Sequence, residues 1–143
     1  EDGNTTLGHR QWEYIENLFG NVLVRSGINL LILSIEASFL LNASDESNYL
    51  LNFLRQWKRG SSNRKIVIVS SSNAGGAEYS IGEGSSELCS WSITSARGGR
   101  SSYPPQIHFG DEFIAKRTFD IGAKSNYVVI NRQKSQVSTQ LNA

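Results

Sequence analysis

The chain has one cysteine, Cys89, so no intramolecular disulfide can form and a cross-linked secreted scaffold is excluded. A lone thiol favours a reducing compartment. Methionine is absent from a chain that begins at Glu1, which points to a processed product of a longer precursor. The triplets Asn4-Thr5-Thr6 and Asn42-Ala43-Ser44 match the N-glycosylation acceptor pattern and leave a secretory route open. Histidine is equally scarce. His9 and His108 are the only side chains whose ordinary titration lies near neutral pH, so general acid/base chemistry has few candidates. Proline occurs only as Pro104-Pro105.

Charge is lean, at 19% of residues with a net charge of +1. It is also uneven, with 5 basic against 7 acidic side chains in residues 1–60 and 9 against 6 in 61–143. The basic excess falls short of the dense Lys/Arg patch that sequence-independent nucleic-acid binding needs. Phe19 to Leu41 is apolar and long enough to span a bilayer, but Asn21, Arg25, Asn29 and Glu36 interrupt it, so a transmembrane helix is rejected.

At 143 residues the chain is of single-domain size, and it can fold without metals or disulfides. From Gly8 to about Arg25, Trp12, Ile15, Leu18, Phe19, Val22 and Leu23 recur at three- and four-residue spacing. That predicts an amphipathic helix ending at Ser26-Gly27. The run Ile28–Ile35 fits a buried strand, with a helix through 28–41 as the alternative. Ser44 caps a helix over 44–59, with Asp45 and Glu46 at its positive end and Lys58, Arg59 and Gly60 closing it. Its expected core stripe is Tyr49, Leu50, Phe53, Leu54 and Trp57.

Lys65–Val69 reads as a strand on composition. Residues 28–69 thus form a βαβ unit with two parallel strands, each apolar throughout and expected to be covered on both faces. Residues 70–102 are Ser- and Gly-rich and read as hairpins and loops, and 107–109, 113–119 and 127–130 as short antiparallel strands. Residues 1–7 and 133–143 are expected to fray. The fold class is therefore α/β or α+β, a single mixed domain over 1–143.

Ligands of open parallel sheets gather at the carboxyl ends of the strands, which here carry Glu36 after the first and Ser71, Ser72 and Asn73 after the second. A second set, Arg97, Arg100, Tyr103, Lys116 and Arg117, mixes basic and aromatic side chains in the loop-rich part and suits an anionic ligand or an acidic protein face. Catalytic residues are not identified. Cys89 shares a strand face with Trp91 and Ile93, as a buried structural thiol would. No Cys/His companions give Glu83, Glu87, Asp111 and Glu112 a metal-ligand pattern, and no cofactor is indicated.

Two resemblances follow from particular residues. Residues 28–73 resemble the core of a RecA-like ATPase, with an apolar strand ending in acid, a helix, and a strand ending in small polar residues. Ser34 stands where that family holds magnesium with Asp, and no phosphate-binding loop occurs, so neither nucleotide binding nor hydrolysis is carried over. The order Asn63-Arg64-Lys65-Ile66, then Pro105, Ile107, Gly110, Phe113 and Lys116-Arg117, resembles actinoporin-like β-sandwich lysins, which implies membrane activity. The aromatic headgroup cluster of that family has no counterpart after Arg132.

The expectation is a non-enzymatic binding or assembly module, possible as an oligomer, whose partner is a protein or an anionic ligand. The alternatives are a small enzyme built on His9, His108 and Glu36, and a secreted membrane-active protein.

Overall fold

The computed structural model describes residues 7–73, 75–95, 103–122, 127–133 and 136–142. Helix α1 (His9–Asn17) runs into a π-helical segment (Leu18–Val22) and a last turn, α2 (Leu23–Arg25). Gly27, at φ 73, ends it. Strand β1 (Leu30–Ser34) follows, then the short helix α3 (Ala37–Leu41) and helix α4 (Asp45–Arg59). Ser44 caps α4, its hydroxyl accepting from the Ser47 amide at 3.3 Å. Acidic residues sit in the first turn of α4 and basic residues in its last, as the helix dipole favours.

Strand β2 (Lys65–Ser71) is parallel to β1, Leu30 facing Lys65 and Ser34 facing Val69. The βαβ reading of 28–69 is therefore correct. Strands β3 (Gly76–Glu83) and β4 (Ser86–Thr94) form a hairpin turned at Gly84, φ 61, and β4 lies parallel to β2. Strands β5 (Gln106–Phe109) and β6 (Phe113–Gly122) complete a six-stranded mixed sheet in the order β1-β2-β4-β3-β6-β5. Strands β7 (Tyr127–Gln133) and β8 (Gln136–Asn142) make a separate antiparallel hairpin.

One face of the sheet carries Ile66, Ile68, Ala77, Tyr79, Ile81, Cys89, Trp91, Ile93 and Ala115, all buried in one core with α4. The alternation of Cys89, Trp91 and Ile93 read in the sequence is this face. Tyr79 and Trp91 stack across β3 and β4 with ring centroids 4.9 Å apart. The opposite face carries Val67 and Ser90, and there Val137 and Thr139 of β8 approach it. The hairpin thus covers part of the face that the helices leave open.

Three expectations need correction. Strand β1 is not buried on two faces: it is an edge of the sheet, and Ile32 is 49% exposed, because the β7–β8 hairpin packs mainly against β3 and β4 and reaches the β1 side through Arg132, which bonds the Asn29 side chain. The core stripe of α4 is Ser47, Leu50, Leu51, Leu54 and Trp57. Tyr49 is 47% exposed and Phe53 half-buried, since both turn toward the first helical segment, where Tyr49 meets the Trp12 ring of α1 at 5.1 Å and Phe53 stacks on Phe19 of the π-helical stretch at 5.9 Å. Residues 136–142, read as frayed, form β8, in which Val137, Thr139 and Leu141 turn inward between polar neighbours.

Glu46 ties the first helix down, its carboxylate accepting from the Leu7 amide at 2.8 Å and the Trp12 indole at 2.7 Å. Lys58 ties α4 to β4 by donating to the carbonyls of Glu87 and Leu88 at 2.7 and 2.9 Å. Among the described residues no helix is long and apolar enough to cross a membrane.

Candidate functional site

The parallel strands β1, β2 and β4 end on the same side of the sheet. Ser70, the last buried position of β2, accepts a hydrogen bond from the Trp91 indole at 2.9 Å, so this hydroxyl is committed to the core. Beyond it the chain surfaces: Ser71 and Asn73 are exposed and Ser72 half-buried. The Ser72 amide donates to the Thr94 carbonyl at 2.9 Å, which holds the end of β2 against the end of β4. Glu36, exposed, follows β1, whose Ile35 amide still pairs with the Val69 carbonyl at 3.1 Å. The strand-end set Glu36, Ser71, Ser72 and Asn73 therefore lines one rim.

Tyr103 joins that rim from the second part of the chain. Its ring is buried, and its hydroxyl donates to the Gly75 carbonyl at 2.8 Å. Burial raises its pKa, while a hydrogen bond with Ser72 acts the other way. Arg117, on β6, donates a guanidinium N–H to the Tyr103 carbonyl and lies 3.6 Å from the Asp120 carboxylate. Its amide also bonds the Pro105 carbonyl at 2.9 Å. Tyr79 donates its hydroxyl to the Pro104 carbonyl at 2.6 Å, and burial of the phenol pushes its pKa up to about 12. The Pro104-Pro105 break in the sequence is thus the corner at which the chain is clamped onto β3 and β6.

Ser72 and Arg117 are thus joined in one hydrogen-bonded network through Tyr103, Ser72 at its hydroxyl and Arg117 at its backbone carbonyl. Lys116 does not join it. Its neighbours on β6, Ala115 and Arg117, face the core side, so alternation sends exposed Lys116 to the other face. Arg97 and Arg100 lie outside the described residues.

His9 pairs with Glu13 at 3.0 Å on the exposed side of α1, and His108 projects outward from β5 between buried Ile107 and Phe109. Among the described residues no contact joins either histidine to the other or to Glu36. Cys89 is fully buried, and burial pushes its thiol pKa up to about 12, the reverse of what a nucleophile requires. Among the described residues no three His, Cys, Asp or Glu side chains group as metal ligands.

Sequence reasoning missed two members of the rim. Tyr79 could have been found from the alternation Ala77, Tyr79, Ile81, which places it on the core face of β3. Asp120 carried no signal, because its role depends on the position of Arg117. A cluster elsewhere was also missed: Arg55 bridges Glu112 at 2.7 Å and Glu83 at 3.3 Å with its guanidinium 5.0 Å over the Phe113 ring. A polar cleft of about 470 Å³ lies at the other end of β2, between Ser62, Asn63 and Lys65 and the β7–β8 hairpin.

No protein-family model, no curated protein and no solved structure matches this chain.

Proposed function

We propose that the protein is a non-enzymatic binding module whose contact surface is the rim at the carboxyl ends of β1, β2 and β4, closed by Tyr103 and Arg117. The partner in this reading is a protein with an acidic face, or a smaller anionic ligand. The observation that carries it is the Ser72–Tyr103–Arg117 network. A buried, hydrogen-bonded tyrosine joins the strand ends to the segment before β5. The Arg117 guanidinium is held by the Tyr103 carbonyl and Asp120, and in this reading it acts together with exposed Ser71 and Asn73. Binding side chains held on a rigid frame lose little conformational freedom when a partner arrives, which raises affinity for a given contact area.

The chemistry of the rim favours binding over catalysis. Its hydroxyls and amides donate and accept hydrogen bonds, and burial raises the pKa of its two phenols further above neutral pH, so neither serves as a base. Arg117 supplies fixed positive charge suited to carboxylate or phosphate. In the sequence reading Arg97 and Arg100 add to that charge, and they enter the proposal as residues of the partner-binding part.

The test is backbone amide-shift mapping of the full chain with two probes, a poly-glutamate peptide and inorganic phosphate. Shifts at 71–73, 103 and 117–120 that weaken as salt is raised are the expected result. Silence with both probes, or shifts confined to the surroundings of His9 and His108, would overturn the reading.

A further inference from the structure

The free edge of β1 is unusual for a sheet edge. Exposed edges are ordinarily blunted by lysine, proline or an inward charge, which keeps them from pairing with another chain. Residues 26–35, Ser-Gly-Ile-Asn-Leu-Leu-Ile-Leu-Ser-Ile, contain none of these. Strand β1 is nevertheless terminal in the sheet order, and its outer side has no strand partner among the described residues.

The hydrogen bonds to β2 define which groups face outward. Asn29 accepts from the Lys65 amide at 2.8 Å and Ile35 donates to the Val69 carbonyl at 3.1 Å. In a parallel pair both backbone groups of a residue point the same way, so 29, 31, 33 and 35 are spent on β2. The N–H and C=O groups of Leu30, Ile32 and Ser34 point away from the sheet. Leu31, Leu33 and Ile35 pack on the core, whereas the Ile32 side chain is 49% exposed, and Ile28, just before the strand, is 42% exposed.

The geometry points to a symmetric dimer of this chain, formed by antiparallel pairing of β1 with β1 of a second copy about a two-fold axis at Ile32. The outward residues make this register self-complementary. Ile32 exchanges both backbone bonds with its mate, and Leu30 does so with Ser34 of the second copy, twice by symmetry. The charge pattern favours a copy of itself over a charged partner. With no ionised side chain in 26–35, two copies bring no like charges together, and a charged strand would gain no ion pair while losing hydration. The facing Ile32 side chains remove apolar surface from water on both copies, and the two sheets become one. This inference does not rest on the rim, which lies at the ends of the strands rather than along this edge.

The test is sedimentation equilibrium of the full chain and of the variants Ile32→Lys and Ile32→Glu, each first shown to be folded by circular dichroism. The native chain should follow a monomer–dimer equilibrium without larger species. Each variant alone opposes like charges across the axis, which should raise the dissociation constant about tenfold or more. An equimolar mixture of the two should recover the dimer through a Lys–Glu pair. A native chain that stays monomeric at every concentration, a dimer untouched by Ile32→Lys, growth into open-ended assemblies, or a mixture of folded variants that remains monomeric would each overturn the proposal.

Discussion

The Tyr103 hydroxyl donates to the Gly75 carbonyl at 2.8 Å, joining two chain segments that lie 28 positions apart. Both groups are buried, so the bond is not freely exchanged for one to water. Tyr103→Phe keeps the ring and removes the donor, leaving a buried carbonyl unpaired. Such a change costs about 1–3 kcal/mol. Urea denaturation measures it, and amide shifts should move at 72–76 while those of α4 stay in place.

The phase of α4 gives a second expected outcome. Leu51 is fully buried and Tyr49 is 47% exposed against α1. Leu51→Ala should cost roughly 2–5 kcal/mol as a large-to-small core change, and Tyr49→Ala distinctly less. Denaturation midpoints of the two variants compare them directly. A larger loss at Tyr49 would contradict the packing of this helix.

Cys89 and Tyr79 make stability depend on alkaline pH. Both are held protonated in the fold, with pKa values raised by burial to about 12 from 9.0 and 10.0. Above about pH 9 the unfolded chain loses protons that the folded chain keeps. Unfolding is then favoured by rising pH, at about 1.4 kcal/mol per pH unit for each group so affected. Stability should therefore be level below pH 9 and fall between pH 9 and 12. The native thiol should resist alkylation at pH 8 and react only in denaturant.

Ser92 is fully buried, and among the described residues its hydroxyl has no hydrogen-bond partner. A buried polar group without a partner carries a desolvation cost, so Ser92→Ala should be neutral or stabilising by up to about 1 kcal/mol. A clear loss in thermal midpoint would show that the hydroxyl has a role in seating the sheet.

Much of the fold is legible in the sequence because local signals and tertiary demands agree there. Ser44, the Asp45-Glu46 pair and Lys58-Arg59 delimit α4, and the apolar runs of β1 and β2 on either side of it identify the parallel pair. The alternation of Cys89, Trp91 and Ile93 gives the core face of β4. The failures have physical causes. Tyr49 and Phe53 are large and hydrophobic enough to fit the core stripe beside Leu51, and only the position of the first helical segment decides which of them faces the sheet. The inward Val137, Thr139 and Leu141 of β8 are separated by Ser138 and Gln140, a pattern that polar composition obscures. Strand β1 reads as a doubly covered strand because an unguarded edge and a buried strand have the same composition. The rim was legible only in part: Ser71, Ser72, Asn73 and Tyr103 are named by strand ends and residue type, whereas the roles of Tyr79 and Asp120 depend on β3 and β6 lying side by side.

Amide-shift mapping with poly-glutamate bears most directly on the central claim, that the rim around Tyr103 and Arg117 binds an acidic or anionic partner. Run on the native chain and on Arg117→Gln, with His9→Ala/His108→Ala as the comparison, it separates the rim from both histidines. The account predicts shifts at 71–73, 103 and 117–120 in the native chain, their loss in a folded Arg117→Gln, and their retention in the double histidine variant. Shifts that survive in Arg117→Gln and vanish when the histidines are replaced would contradict it.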